Sequence, residues 1–168
     1  QGIALSLAEG LRSMGHETEV LFLYTKRDVF SDRPSVSSLL SRPPRGVLDY
    51  LRIQWRLFRY LVRHRPDAVI SHTHYSNVLV LPLAWLAGTR IRIAVQHSLA
   101  GKYPVIVRAV DPLLGCTAAY TAIVGVSRVV QDSVSGHPAR YRRKFRVILN
   151  GIVSPPEELQ DVTVPVPP

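Results

Sequence analysis

The sequence holds a single cysteine, Cys116, among its 168 residues. One cysteine excludes an internal disulfide framework, and it excludes a metal site built from several thiolates. The sequence also lacks any apolar run of the roughly 20 residues that a membrane-spanning helix needs. We therefore expect a protein of the reducing cytoplasm.

Several other sequence signals are missing as well. The chain begins at Gln1 without an initiator methionine or the basic start of a signal peptide, so we expect a fragment or a processed chain. It contains no phosphate-binding P-loop and no intact G-x-G-x-x-G dinucleotide motif. His72 and His74 form a His-x-His pair, but the cysteines and carboxylates that would complete a zinc site are lacking nearby. The sequence therefore predicts neither a metal nor another cofactor.

Acidic residues are scarce where arginines are dense. The formal net charge is +9, and between Arg42 and Arg65 seven arginines stand against one acid, Asp49. A basic balance of this size favours one of three partners: nucleic acid, an anionic membrane surface, or phosphorylated small substrates.

The clearest helical pattern runs over residues 47–64. It predicts a buried apolar stripe formed by Leu48, Leu51, Trp55, Phe58 and Val62. It also predicts a basic stripe formed by Arg52, Arg56, Arg59 and Arg63. The basic stripe permits three interpretations. They are a solvated face of a helix that covers the sheet, a peripheral contact with anionic lipid or phosphate, and a nucleic-acid contact, which we favour least.

Helices and strands alternate along the chain, which indicates an α/β fold with a Rossmann-like parallel sheet and helices on both faces. The predicted helices cover residues 3–14, 47–64, 78–87, 105–114 and 128–135. The predicted strands cover residues 19–24, 68–71, 91–95, 121–126 and 146–149. Residues 25–46 and 137–144 are predicted as loops. We expect one domain over residues 1–153, followed by a proline-rich linker over residues 154–168.

Polar side chains gather where the predicted strands end. The segment His72-Thr73-His74-Tyr75-Ser76-Asn77 follows one strand, Gln96-His97-Ser98 follows the next, and Ser127 follows a third. In an open α/β sheet the carboxyl ends of the strands are where ligands bind. A histidine there can hold a hydroxyl or phosphate group or move a proton, whereas the simplest role for Ser127 is to cap the next helix.

Four parts of the sequence together resemble a known family. They are QGIALSLAEGLRSMGHETEVLFL, RPDAVISHTHYSN, AVQHS followed by AYTAIVGVSRVV, and FRVILNGIV. In this order they resemble the amino-terminal domain of a GT-B glycosyltransferase of the retaining family-4 type. The resemblance implies two Rossmann-like domains across a cleft. The carboxyl-terminal domain would hold most of the nucleotide-sugar, and the amino-terminal domain would mainly bind the acceptor.

The resemblance also implies what this sequence does not contain. The family's first strand and its glycine-rich loop would precede Gln1, and a second domain with paired glutamates would follow. The family's Asn-Gly-Ile-Asp turn is Asn150-Gly151-Ile152-Val153 here. We expect the chain to be the acceptor-binding half of a hexosyltransferase. The enzyme would use a nucleotide-sugar donor and an acceptor hydroxyl, and the acceptor could be linked to a lipid. We expect this half to be inactive alone, and we expect the loss of the central first strand to leave a gap in the sheet or a poorly stable fragment.

Residue by residue, the resemblance makes His97 the catalytic candidate, because it matches the family's strand-end histidine near the sugar and acceptor. The candidates for substrate binding lie on the strand-end loops or in the Asn-Gly turn. They are His74, Tyr75, Asn77, Ser98, Lys102, Ser127 and Asn150.

Two alternatives stay open at this stage. One is a sugar-nucleotide epimerase on the same architecture. The other is a non-catalytic module that binds anionic lipid or nucleic acid through the basic stripe of residues 52–63.

Overall fold

A computed structural model describes residues 2–25 and 35–149 of the protein. In this part of the chain, parallel strands are flanked by helices. The helices are α1 (Gly2–Ser13), α2 (Val47–His64), α3 (His74–Leu86), α4 (Val105–Cys116), α5 (Arg128–Ser133) and α6 (Ala139–Lys144). The strands are β1 (Val20–Phe22), β2 (Val36–Ser38), β3 (Ala68–Ser71), β4 (Ile91–Gln96), β5 (Ala122–Gly125) and β6 (Phe145–Val147). The predicted α/β class is confirmed. The predicted linker lies outside the described residues, so the domain boundary stays a prediction.

The strands divide between two parallel sheets. β1 pairs with β2, and a four-stranded sheet has the order β3-β4-β5-β6. In that sheet Ser71 lies beside Ala94, and Gln96 lies beside Gly125. Because these strands are parallel neighbours, their carboxyl ends meet at one edge. That a missing first strand leaves a gap in the sheet stays a prediction.

Three elements differ from the sequence-based expectations. β2 lies within the predicted loop of residues 25–46, and a three-residue strand is too short to show a period. α6 replaces the predicted basic loop of residues 137–144, because Tyr141 is fully buried and gives this otherwise basic segment one packed side. α3 begins at His74, earlier than the predicted start at residue 78, because Thr73 caps it.

The buried side of α2 also differs from the predicted one. Four of the side chains predicted to be buried are exposed: Leu48 (79%), Leu51 (59%), Trp55 (61%) and Val62 (43%). The side chains that pack inward are instead Ile53, Leu57 and Leu61, with 1–3% exposure. The prediction of a buried stripe at Leu48–Val62 was therefore wrong.

The reason for this error is that α2 carries two apolar stripes. Helical periodicity finds both, but only packing decides which one faces the sheet. Leu57 and Leu61 pack against Ala84 of α3 and against half-buried side chains that include Leu21 of β1 and Val69 of β3. The other stripe stays at the surface. None of the described helices is long and apolar enough to cross a bilayer.

The orientation of α2 can be tested by truncating one leucine on each stripe. Leu57→Ala should lower the free energy of unfolding by about 2–5 kcal/mol, because truncating a buried leucine leaves a cavity. Leu51→Ala removes the same atoms from an exposed side chain and should change that free energy by less than about 0.5 kcal/mol. Chemical denaturation measures both values. Equal losses in the two variants would contradict the orientation.

Candidate active site

Two histidines meet at the carboxyl edge of the four-stranded sheet. His72 follows β3 and His97 follows β4, and the parallel pairing of these strands brings the two residues together. Nδ1 of His72 lies 3.4 Å from Nε2 of His97, and the ring centroids are 5.7 Å apart. The two rings therefore share a long hydrogen bond at the place where ligands bind in open α/β sheets.

Burial keeps the histidines of this edge uncharged. Burial is the main reason that the pKa of His72 is lowered to about 4, and the nearby His97 contributes to the same shift. Burial also lowers the pKa of His97 and of His74, although for His74 the carboxylate of Asp111 partly opposes the change. All three rings are therefore neutral at physiological pH. They offer hydrogen bonds to a ligand rather than positive charge.

His74 is held by the start of α3. The backbone N–H of Ser76 donates to Thr73 Oγ1 at 3.2 Å, and the backbone N–H of Thr73 donates to Ser76 Oγ at 3.1 Å, which together form a capping box. The cap places His74 in the first helical turn. Its ring stacks on Tyr103 at 4.8 Å and lies 4.6 Å from the ring of Tyr75. Tyr75 is 52% exposed, so one aromatic surface remains open to solvent.

A buried carboxylate lies in the core behind this edge. Asp111 of α4 is 2% exposed and accepts hydrogen bonds from the hydroxyls of Tyr120 (3.1 Å) and Tyr141 (2.7 Å). It also accepts one from Gln96 Nε2 at 3.2 Å. Burial raises the pKa of Asp111, while these hydrogen bonds act in the opposite direction. The carboxylate thus joins the end of β4 to α4 and α6.

Tyr103 connects this network to the histidines. Its hydroxyl donates to the side-chain oxygen of Gln96 and to the backbone carbonyl of Ser98, 2.9 Å away. Its ring supports His74 by stacking. Tyr103 therefore fixes the loop on both sides of His97.

The sequence patterns assigned no role to Asp111 and did not predict that Gln96 is buried. A usable signal was present, because Asp111 is a lone acid within the apolar segment VIVRAVDPLLG. Aspartate is almost never fully buried unless its carboxylate is paired, so an acid in such a segment indicates a set of donors elsewhere in the chain. Of the two tyrosines that supply those donors, Tyr120 lies 9 residues away in sequence and Tyr141 lies 30 residues away.

The other residues predicted to contact a ligand differ in their burial. Asn77 is fully buried, and its Nδ2 donates to the Val95 carbonyl at 3.2 Å. Its Oδ1 has no hydrogen-bond partner within residues 2–25 and 35–149. Ser98 and Lys102 are exposed on the segment after β4, which includes a 3₁₀ turn at Ala100–Lys102. Their contacts with a ligand stay predictions.

Ser127 has the capping role that the sequence favoured. Its Oγ accepts a hydrogen bond from the backbone N–H of Val130 at 3.2 Å, at the start of α5. In the part of the chain that the structure describes, no hydrogen bond or ring contact joins Ser127 or Lys102 to the three histidines. Asn150 lies outside the described residues.

Metal-ligating side chains do not gather in threes anywhere among the described residues. A surface cavity of about 520 Å³ lies elsewhere, next to the segment that precedes β5. Its lining consists of Cys116, Thr117, Ala118, Arg140, Arg143 and Lys144. None of the candidate residues contributes to it.

The sequence model described as Glycosyltransferase Family 4 matches residues 3–154, which is most of the chain. The chain belongs to glycosyltransferase family 4. Searches of curated proteins and of solved structures each gave no match. The family match confirms the resemblance to an amino-terminal GT-B domain. Membership in family 4 implies a sugar donor and an acceptor in general.

Within this family-4 domain, the buried Asp111 should give stability a distinct pH dependence. Because its pKa is raised above the ordinary 3.8, the native state holds more protons than the unfolded state between those two values. The free energy of unfolding should therefore fall as the pH rises through this window. Asp111→Asn removes the ionisation, so its stability relative to the natural protein should increase with pH.

Urea denaturation at a series of pH values from acid to neutral measures this difference. Asp132→Asn is the matched control, since Asp132 is an exposed aspartate on α5. The control should run parallel to the natural protein over the same range. A parallel curve for Asp111→Asn as well would contradict the effect of burial on this carboxylate.

Proposed function

We propose that this chain is the acceptor-binding half of a retaining glycosyltransferase that transfers a hexose from a nucleotide-sugar to an acceptor hydroxyl. The observation that carries the proposal is the meeting of His72 and His97 at the carboxyl edge of the sheet in a family-4 domain. An alternative activity on the same architecture, sugar-nucleotide epimerisation, is disfavoured by the family match.

The chemistry of this edge suits positioning better than charge stabilisation. Retaining transfer needs a group that offsets the charge of the departing diphosphate and groups that hold the reacting hydroxyl in place. Neutral imidazoles serve the second need, because each can accept or donate one hydrogen bond with a hydroxyl. We therefore assign His97 to contact with the sugar or acceptor, and we assign stabilisation of the diphosphate to the other half of the enzyme.

The acceptor side is proposed to lie along the first turn of α3 and the loop after β4. His74 and Tyr75 present neighbouring, partly exposed rings there, tilted against each other, and an aromatic face can pack against the apolar side of a sugar ring. Ser98 and Lys102 add exposed polar groups on the neighbouring loop.

Replacing His97 should impair transfer. In the complete protein, His97→Ala should lower kcat/KM about 5–150-fold, because losing a hydrogen bond to a desolvated group costs about 1–3 kcal/mol. Release of nucleoside diphosphate from a panel of nucleotide-sugars and acceptors measures the activity, and NMR of the product shows whether the anomeric configuration is retained. His16→Ala, at an exposed histidine after α1, should leave the activity unchanged.

Three outcomes of this assay would contradict the proposal. Unchanged kcat/KM in His97→Ala would remove His97 from the site. Sugar transfer by residues 1–168 alone would contradict a half-site that is inactive alone. Epimerisation of a nucleotide-sugar without transfer would favour the alternative activity.

A second proposal concerns the outer face of α2, which we define as Leu48, Leu51, Trp55, Val62, Arg52, Arg56, Arg59 and Arg63. All eight side chains are exposed. We propose that this face binds an anionic membrane surface on the cytoplasmic side. Apolar side chains beside a row of arginines are typical of helices that lie in a membrane interface.

Two further helices of the domain also expose large apolar side chains. α2 packs on α3, and α3 packs on α4. Further large apolar side chains are exposed on these two helices, with exposures between 47% and 78%: Trp85, Leu86, Val105, Ile106 and Leu113. A stripe of arginines alone would suit nucleic acid equally well, but the exposed tryptophan and leucines favour lipid.

Local charges leave most of the arginines available. Asp49 is engaged by the backbone N–H of Arg45 (3.0 Å) and by Arg42 (2.8 Å), and these contacts hold the pKa of its carboxyl below the usual value. Arg52 lies 3.5 Å from Asp49. In the described part of the chain, no acid forms an ion pair with Arg59 or Arg63.

Vesicle sedimentation tests this second proposal. A variant with Arg52, Arg56, Arg59 and Arg63 changed to glutamine should bind phosphatidylglycerol-containing vesicles about 10²–10³-fold more weakly, because each arginine near an anionic surface contributes about 1 kcal/mol. The matched control removes the same charge elsewhere, by glutamine at Arg140, Arg142, Arg143 and Arg146. It should retain most of the binding.

The apolar part of the face is tested separately by Leu51→Ser with Trp55→Ser, which should weaken binding without a change in charge. Equal losses in the two arginine variants would show a response to net charge only and would contradict the proposed face. Tighter binding to oligonucleotides than to vesicles, abolished by the same α2 substitutions, would favour the nucleic-acid interpretation instead.

A further inference from the structure

The hydrogen bond between His72 and His97 uses one defined nitrogen of each ring, Nδ1 of His72 and Nε2 of His97. A bond between two neutral imidazoles contains one proton, so one ring donates and the other accepts. Either His97 donates its Nε2–H to a bare Nδ1 of His72, or His72 donates its Nδ1–H to a bare Nε2 of His97. In both arrangements the tautomer of one ring decides the tautomer of the other.

The first arrangement is favoured by the intrinsic chemistry of the rings. It puts both histidines in the Nε2–H form, which is the more stable tautomer of a neutral histidine side chain. The second arrangement puts both in the less stable Nδ1–H form. A backbone carbonyl that accepts from Nδ1 would favour the second, but neither ring has such a partner among residues 2–25 and 35–149.

The first arrangement also depends on His72 being neutral. A protonated His72 donates from both nitrogens, so it would donate Nδ1–H to a bare Nε2 of His97 and reverse the bond. Burial lowers the pKa of both residues, to about 4 for His72. The neutral pair is therefore the stable state at physiological pH.

We propose that His72 is a positioning residue that fixes His97 as the Nε2–H tautomer and leaves Nδ1 of His97 bare for the ligand. The identity of the ligand rests on the function proposed above, whereas the tautomer does not. A bare Nδ1 can pair only with a hydrogen-bond donor. His97 therefore accepts a hydrogen bond from a hydroxyl of the sugar or acceptor, and it disfavours a phosphate or ether oxygen at the same position.

Imidazole nitrogen NMR on the complete protein, labelled with ¹⁵N-histidine, tests the proposal at neutral pH, because the ¹⁵N shifts distinguish protonated from bare ring nitrogens. The His97→Gln variant identifies the signals of His97 by their loss. The natural protein should show a protonated Nε2 and a bare Nδ1 on His97.

Two substitutions of His72 distinguish a role in positioning His97 from a role in filling space. His72→Phe keeps a ring but removes the acceptor, so the two nitrogen signals of His97 should shift toward each other as the tautomers mix. His72→Asn supplies a side-chain oxygen that can accept from Nε2–H, so it should keep the single tautomer. This rescue would not occur if His72 only filled space.

A proton on Nδ1 of His97 in the natural protein would overturn the proposal, and so would a single unchanged tautomer in folded His72→Phe. If His72→Phe does not fold, the natural protein and His72→Asn still decide the question. The outcome is also separable from the proposed function. A fixed Nε2–H tautomer in a protein that transfers no sugar would contradict the function alone, and transfer with a mixed tautomer would contradict this inference alone.

Discussion

A buried carboxylate held by neutral hydrogen-bond donors constrains much of this domain. Asp111 is buried, and three neutral donors from Tyr120, Tyr141 and Gln96 surround it. A hydrogen bond to a charged group is worth about 1.5–3 kcal/mol, and a buried charge that loses its partners is strongly destabilising. The chain must therefore bring β4, α4 and α6 together to satisfy one side chain. The same requirement holds Gln96 at the position that leads directly into His97.

The neutrality of the edge follows from this packing. Tyr103 bonds to Gln96 and stacks on His74, so the histidine rings are half-buried although neighbouring loop residues such as Ser98 are exposed. Burial then lowers the histidine pKa values, and the edge presents hydrogen bonds without charge. In the proposed transfer, the positive charge for a departing diphosphate would therefore come from outside this edge. This is the physical reason to assign recognition of hydroxyls to this half of a glycosyltransferase.

Patterns local in sequence predicted much of the fold, whereas features that depend on packing were missed. The bounds of α2 and β3 and the parallel α/β class follow from periodicity and from the order of apolar runs. The buried side of α2 does not, because Leu51 and Leu57 both lie on apolar stripes and only packing against residues such as Ala84 distinguishes them. At the site, the strand ends predicted polar ligand-binding segments that include His72 and His97, but the contact between the two rings follows from the pairing of β3 with β4. The role of Asp111 depends on tyrosines up to 30 residues away, beyond any local pattern.

α3 links the two surfaces to which we assign function. Its first turn carries His74 and Tyr75 at the strand-end edge, and Ala84 near its other end packs against Leu57 and Leu61 of α2. Because interiors are close-packed, α2 cannot rotate against α3 without repacking this contact. A membrane that holds the outer face of α2 would therefore also fix the direction in which the histidine edge faces. An acceptor that itself resides in the membrane would then meet the site in one orientation, which lowers the entropy cost of bringing its hydroxyl to His97.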